Sequence, residues 1–557
     1  MKRDTSKLST TEFDLVIIGG GIFGSCAVWE AALRGIKVAL LEKNDFSHAT
    51  SANHFKIAHC GIRYLQHADI FRLRESSRER SALIRIAPHL VHTVPIVIPT
   101  YGNKTKGKIF LGIGMSLYDL LTSDRNKGII SDNKIKNTTY LNKKEILSLF
   151  PNIPQEGLTG GVVFEEGQMY NPPRLALSFV KSATERGADV ANYIEATGII
   201  RKGSQVSGVK VKDLISGDIF DIKCKMVLNT AGPWANHLLR EGAGISIAPP
   251  PTFSRDLAFV IPRYFDNPYG LALTTHTKDA DSIIDRGGRH LFTMPWRDYT
   301  LIGVWHKVFH QRSEKLYVTD EELHNYSKEV NGAYPGICEN INKIKVVNMG
   351  LTLFGDEDDQ KSQKISFGKR SQIIDHEKID HVKGLITLIG VRATTARGMA
   401  SKALDLICKK MQLKAEKIDS RFIPIWGGDF KGKKEVIKNI KNDIGFDATE
   451  NTIQALYKNY GSGYKKVLNY QVPHLGDNNM ISETTVLKAE ILHAVHDEMA
   501  LKLKDVIFRR TDMGTGSPVE GAALHLCADL MAKALNWNQE KKLSEINQVK
   551  ESYPRLG

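Results

Sequence analysis

The strongest constraint on the fold stands near the N-terminus, where Asp14 to Gly24 read DLVIIGGGIFG. A short apolar run rich in β-branched residues passes straight into glycines, the pattern of a buried parallel strand entering a tight turn. Ile22 to Leu33 follow with helical apolar spacing, and Ile36 to Leu41 (IKVALL) give a second buried strand ending at Glu42. Together they make a βαβ unit. Gly19, Gly21 and Gly24 form G-x-G-x-x-G between strand and helix, and Glu42 lies 18 residues beyond Gly24. The first glycine permits the turn, the second a close approach of backbone to a pyrophosphate, and the third tight packing of helix on sheet. Free N–H groups and the positive dipole end at the helix N-terminus favour phosphate. Glu42 is suited to accept hydrogen bonds from a ribose diol, and its charge disfavours a 2′-phosphate. The unit predicts a bound dinucleotide, and the fingerprint by itself fits FAD and NAD equally. The setting favours FAD: the next segment, HATSANHFKIAHCGIRYL, is polar and studded with His and Arg, groups that a buried flavin ring needs beside it.

The chain has 557 residues, room for about three or four domains. Its hydrophobic share of 42% and charged share of 25% set aside long disorder and fibrous classes. Six scattered cysteines without a C-x-x-C pair predict reduced, mostly buried thiols rather than a disulfide framework or a metal site. The N-terminal stretch lacks the apolar core of a secretion signal, and no apolar run reaches the roughly 18 residues of a membrane span. The expected compartment is the cytoplasm. A net charge of +14 attracts nucleic acid, anionic lipid or an acidic small molecule. No zinc-finger spacing or RNA-binding aromatic signature accompanies it, so nucleic acid is not expected. Much of the excess, as in Lys431 to Lys441, reads as a solvated helix face.

Further along, Ala68 to Ile86 are helical and closed by Pro88, and Pro173 to Gly187 are helical again. Between Tyr101 and Pro151 a polar, Lys-rich stretch surrounds the charge-free patch Ile109 to Tyr118, either a core helix or an interfacial one. Ile194 to Leu214 alternate as strands, and Val227 to Gly232 is a strand running into a glycine turn. Leu257 to Pro262, His290 to Pro295 and Tyr299 to Trp305 have the aromatic-studded look of an antiparallel sheet. Leu385 to Gly390 leads to a helix for which Thr394 and Thr395 are candidate caps. After Leu413 helical periodicity dominates, most clearly in Tyr464 to Tyr470, Thr485 to Leu503 and Val519 to Leu535. The expected class is α/β: a Rossmann-like FAD-binding domain of discontinuous segments (1–100, 156–250 and 346–413), with an inserted cap at 101–155. An antiparallel-sheet substrate domain at 251–345 and an all-α C-terminal domain at 414–557 complete it.

Several longer motifs resemble the FAD-dependent glycerol-3-phosphate dehydrogenases: DLVIIGGGIFG with Glu42, ATSANHFKIAHCGIRYL (Ala49 to Leu65), APH (Ala87 to His89), NTAGPW (Asn229 to Trp234) and MPWRDYTLIG (Met294 to Gly303). In the tail, YGSGY from Tyr460 and AEILHAVHDEMALKLKDVIFRRTDMG (Ala489 to Gly514) resemble the family's accessory helical domain. The resemblance implies non-covalent FAD and oxidation of the C2 hydroxyl of sn-glycerol 3-phosphate to dihydroxyacetone phosphate, by hydride transfer to flavin N5. It also implies electron delivery to quinone at the membrane. Cofactor positions are then Gly19, Gly21, Gly24, Glu42, Thr50, Ser51, Gly232, Gly390 and Thr394. Arg63 and Tyr64 match the family's substrate-side Arg-Tyr pair, Arg63 being suited to clamp an anion bidentately.

Several positions depart from the pattern. Arg392 stands where the family has a substrate-facing lysine; it keeps the charge and cannot act as a base. Thr352 replaces an anion-binding arginine, Lys369 or Arg370 falls at the next arginine position, and Ala258 replaces a histidine. His59, matching a family histidine, and His306, without a family match, are the base candidates. The substrate set is Arg63, Tyr64, Lys369, Arg370, Arg392 and His306; no metal is expected. Alternatives of the same fold are an amine, amino-acid or hydroxy-acid oxidase. An alternative of another class is a flavoprotein without turnover, serving as sensor or scaffold. A homodimer and peripheral contact with anionic membrane complete the expected partners.

Overall fold

The computed structural model describes residues 1–62, 64, 68–102, 108–248, 250–275, 290–309, 316–353, 370–414, 418–471 and 479–553; at 108–110 and 290 it describes the backbone alone. Among these, an eight-stranded sheet runs in the order Gln372–Asp375, Leu385–Ile389, Ile219–Asn229, Glu12–Ile18, Val38–Leu41, Asp189–Ala191, with the antiparallel strands Ile194–Lys202 and Gln205–Asp213 attached beside Ile219–Asn229. The central pairings are parallel. Parallel strands buried on both faces need continuous apolar side chains, and Val16, Ile17, Leu40, Val227 and Ile386 are fully buried. Helices Ile22–Leu33, Pro172–Thr184 and Ala396–Lys410 pack together on one side. Three adjacent strands, Glu12–Ile18, Ile219–Asn229 and Leu385–Ile389, end at the same edge, each followed within three residues by a glycine: Gly19, Gly232 and Gly390. The carboxyl ends of parallel strands are where open α/β sheets bind ligands.

The second sheet has nine strands among the described residues, in the order Val346–Leu353, Phe253–Pro262, Tyr299–Phe309, His290–Trp296, Gly270–Thr274, Val91–Tyr101, Leu158–Met169, Ile57–Ala58, with Thr139–Asn142 beside Leu158–Met169. Every pairing is antiparallel except Gly270–Thr274 with Val91–Tyr101. This sheet draws strands from the stretches 1–100, 101–155, 156–250 and 346–413 as well as from 251–345.

The patch at Ile109 to Tyr118 forms helix Lys108–Leu121. Leu111, Met115 and Tyr118 are buried, while Ile113, Leu117 and Leu120 are exposed. Past residue 420 the strands give way to helices, among them Lys433–Asp443, Glu450–Tyr460, Lys488–Glu498, Gly521–Leu535 and Gln539–Lys550. The six cysteines are buried and unpaired. No helix among the described residues is long and apolar enough to cross a membrane.

Candidate active site

A cavity of about 1900 Å³ runs between the two sheets. Small-molecule sites commonly occupy about 300–1,000 Å³, so this one has room for a dinucleotide and a substrate together. Of the predicted site residues that are described, all except Gly24 and Arg370 line it. Arg63 and Lys369 lie outside the described residues. Arg370 is exposed at the surface and does not join the cavity wall.

The glycine turn is shaped as a cradle. Gly19 has φ +105°, and a Cβ there would meet the Thr230 carbonyl at 2.7 Å. A Cβ on Gly21 would sit 3.0 Å from Ser51 Oγ, which already accepts the Ile22 N–H. Gly24 faces away from the cavity, and a Cβ on it would lie 1.8 Å from the Gly19 carbonyl oxygen. At the same edge of the sheet a Cβ on Gly390 would strike the ring of Phe23, in the first turn of helix Ile22–Leu33. The residues present therefore fit a dinucleotide laid across bare backbone at the head of helix Ile22–Leu33.

Glu42 has more duties than its sequence position suggests. Its two oxygens accept the N–H groups of Gly20 (2.6 Å) and Asn44 (2.8 Å), so it braces the glycine turn while keeping lone pairs toward the cavity. Burial pushes its carboxyl above the usual range, against the pull of those two N–H donors. Thr50 Oγ1 accepts the Leu351 N–H at 2.9 Å and so ties the FAD-side loop to the second sheet.

The predicted caps Thr394 and Thr395 do not cap the helix: neither side chain bonds its N-terminus. A 3₁₀ turn intervenes, in which Thr395 Oγ1 donates to the Arg392 carbonyl and Thr394 Oγ1 accepts the His59 N–H at 3.0 Å. The Thr394 hydroxyl thereby joins two predicted sites, because it sets His59 against the loop that carries Arg392. Tyr64 sits in the same corner. The guanidinium groups of Arg392 and Arg72 both lie 5.0 Å from its ring centre, and Arg392 Nη1 donates to Ser76 Oγ.

Sequence reasoning missed the carboxylate behind His59. Glu166 Oε1 lies 3.7 Å from His59 Nδ1, while Glu166 accepts from the Cys60 N–H (2.7 Å) and Cys60 Sγ (3.0 Å) and faces Arg80. Burial pushes Glu166 up, but His59, Arg80 and Cys60 outweigh it and hold its carboxyl below the usual range. Glu165 and Glu166 are both buried, and no motif marked either of them. On the second sheet His306 Nδ1 lies 2.7 Å from Asp256 Oδ1, and Asp256 accepts from Ser254 Oγ. Asp256 and Asn348 also line the cavity and carried no motif to announce them.

This architecture is that of a flavin-binding oxidoreductase, and residues 14–364 match the FAD dependent oxidoreductase family; the chain belongs to that family. Residues 418–542 match the C-terminal domain of alpha-glycerophosphate oxidase. Over 98% of its length the chain is 27% identical to the alpha-glycerophosphate oxidase of Lactococcus lactis, covering 96% of that protein. It is 29% identical to human mitochondrial glycerol-3-phosphate dehydrogenase over 97% of this chain and 72% of the relative. Among solved structures, the glycerol-3-phosphate dehydrogenase of Bacillus halodurans complexed with FAD superimposes with a TM-score of 0.74 at 23% identity, covering 98% of this chain and 95% of that one. The protein is an FAD-dependent oxidoreductase with the two-sheet fold and helical C-terminal region expected from its sequence.

Proposed function

We propose that the chain oxidises sn-glycerol 3-phosphate to dihydroxyacetone phosphate. The observation that carries the reading is the meeting of His59, Tyr64 and Arg392 in one corner of the cavity, in a chain alike over nearly its whole length to glycerophosphate oxidases and dehydrogenases. Bound FAD supplies the acceptor for the hydride equivalent. Gly19, Gly21, Ser51, Thr50, Gly232 and Gly390 hold it, with Glu42 bracing the turn. Arg392, with Arg63 beside Tyr64 in sequence, supplies fixed positive charge for the phosphate. Tyr64 contributes a hydroxyl donor to a substrate oxygen. His59 takes the C2 hydroxyl proton on Nε2, since Glu166 faces its Nδ1. His306, steadied by Asp256, stands on the far wall as a further substrate-side group.

The test is anaerobic mixing of the yellow holoprotein with a panel of phosphorylated polyols, hydroxy acids and amino acids. Bleaching of the flavin by glycerol 3-phosphate, with at least about 10-fold weaker substrate binding in Arg392→Ala, is the expected result. Bleaching by an amino acid or by no panel member overturns the reading.

The same reading places electron delivery at an anionic membrane surface, with quinone as acceptor. Ile113, Leu117 and Leu120 form an exposed stripe at i, i+4 and i+7 on helix Lys108–Leu121. Exposed Ile70 and Phe71 open helix Ile70–Ile86, whose Arg74 reaches the Leu121 carbonyl and Asp124. An apolar stripe on a cationic protein suits peripheral docking. Co-sedimentation with phosphatidylglycerol vesicles at low salt is expected, falling at least about 5-fold in Leu117→Ser/Leu120→Ser. Wild-type protein left in the supernatant sinks it.

A further inference from the structure

We infer that Asn348 is a specificity-determining residue whose amide Nδ2 donates a hydrogen bond to the free terminal hydroxyl of the bound polyol phosphate, with Lys56 as the residue that positions it. The inference rests on the substrate reading above and deepens it.

Asn348 lies on strand Val346–Leu353, lines the cavity and is 4% exposed. Its Oδ1 accepts from Lys56 Nζ at 3.0 Å, and its Nδ2 has no hydrogen-bond partner among the described residues. An ammonium group only donates, so the amide must turn its oxygen to Lys56 and its NH₂ the other way. Lys56 is itself locked: it is 1% exposed, lies over the Trp296 ring at 4.7 Å and also donates to the His54 carbonyl. The amide orientation thus follows from the chemistry of its neighbour.

The surroundings say what that NH₂ meets. In register, Asn348 lies opposite Ala258, which in turn faces Gly303 on the next strand. Two small residues beside one amide leave the NH₂ as the polar feature of that rung of the wall. Buried donors in native proteins are nearly always matched, which points to an acceptor supplied by whatever fills the cavity. The phosphate end of the substrate belongs with Arg392 and Tyr64, on the loop after Leu385–Ile389 and the segment around Gly61. Asn348 stands on the other sheet, and the cation nearest its amide, Lys56, is spent on Oδ1. A neutral donor whose neighbouring cation is already engaged, on a wall where Asp256 is paired with His306, matches the uncharged end of the molecule, the primary hydroxyl.

The experiment compares glycerol 3-phosphate with propane-1,2-diol 1-phosphate, which lacks only that hydroxyl, as anaerobic reductants of the FAD-loaded protein. Burial and Arg297 bring the Lys56 ammonium down to about 7, so the comparison is run at pH 6, where the lysine is the charged donor. A site built to bond a hydroxyl rejects the analogue lacking it, so wild-type protein is expected to prefer glycerol 3-phosphate by at least about 10-fold in kcat/KM. In Asn348→Leu the preference collapses to about 3-fold or less, because the rate with glycerol 3-phosphate falls while that with the deoxy compound holds. Lys56→Met erodes the preference in the same direction. Asn348→Ala serves as a second variant should the leucine protein not fold. A preference kept intact in both Asn348 variants overturns the inference, as does an equal fall with both compounds. A shifted visible flavin spectrum in the substrate-free variant also overturns it, since the donor would then serve the ring. If glycerol 3-phosphate leaves wild-type flavin oxidised, the substrate reading has failed instead. The Asn348 assignment is then decided by the same comparison, with and without a hydroxyl, on the panel compound that does bleach it.

Discussion

Gly24→Ala is expected to purify without its yellow colour. The methyl group would be placed 1.8 Å from the Gly19 carbonyl oxygen and 2.7 Å from Thr230 Oγ1, and the first of these is backbone that cannot swing aside. Relief requires helix Ile22–Leu33 to lift from the sheet or the glycine turn to open. Either movement displaces the N–H groups at the head of that helix, which in the proposed site hold the diphosphate of the cofactor. Thr230 tightens the constraint, because its hydroxyl bonds the carbonyls of Ile18 and Gly19 and has no free direction in which to retreat. A loss of at least about 100-fold in FAD affinity, roughly 3 kcal/mol, is the expected size. It is read from the ratio of visible to ultraviolet absorbance and from titration of apoprotein with FAD. Gly332→Ala is the control: it lies in helix Asp320–Ala333 with open space where a Cβ would go, and alanine there favours the helix by up to about 1 kcal/mol. A Gly24→Ala protein that retains one FAD per chain with wild-type affinity would show that the turn does not hold the cofactor.

That prediction was available from the sequence because its cause is local: strand, turn and helix are contiguous, and Gly24 answers to Gly19 five residues away. Glu12–Ile18, Ile219–Asn229 and Leu385–Ile389 were legible as apolar runs leading into glycine and Val38–Leu41 as one ending at Glu42, whereas the short strands Asp189–Ala191 and Gln372–Asp375 carried no such signal. The second sheet was legible only where aromatic alternation survived, in Phe253–Pro262, His290–Trp296 and Tyr299–Phe309. Leu158–Met169 is buried along almost its whole length, so it lacks the two-residue alternation that marks a half-exposed strand. Its partner, Val91–Tyr101, is separated from it in sequence by the helix Lys108–Leu121. In the site, His59, Tyr64 and Arg392 came from motifs, whereas Glu166, Asp256, Asn348 and the new task of Thr394 depend on pairings across the chain. Thr394 shows the physical reason: a threonine before a helix reads as a cap, but the N–H of His59 competes for its hydroxyl and wins. Charges that cross from the FAD-binding part to the helical domain were equally hidden, and one of them carries the largest expected loss of stability.

Replacing that residue, Glu498, by alanine is expected to destabilise the protein by about 3–5 kcal/mol, because it strands buried cations. Glu498 is fully buried at the end of helix Lys488–Glu498. Its carboxylate meets Arg174 at 2.6 Å and Lys181 at 2.7 Å, both on helix Pro172–Thr184 of the FAD-binding part, and His493 Nε2 at 3.2 Å. Aromatic faces offer partial shelter, with Arg174 over Tyr460 at 4.2 Å and Lys181 over Trp426 at 3.6 Å, but neither cation has another carboxylate at comparable distance among the described residues. Burial pushes the Glu498 carboxyl up, and Arg174, Lys181 and His493 overcome that and hold it well below its usual range. Its folded value is therefore depressed, so the stabilisation is complete above the ordinary value of 4.5 and is lost as pH falls through the lower folded value. The gap between wild type and Glu498→Ala should be full at pH 7 and narrow in acid. Lys466→Ala provides the contrast across the same two domains: its pair with Glu185 is exposed on both sides and is worth at most about 1 kcal/mol. Thermal unfolding followed by flavin release checks both variants. If Glu498→Ala melts together with wild type at pH 7, the joint between the domains is held by its apolar contacts and the buried charges add nothing to it.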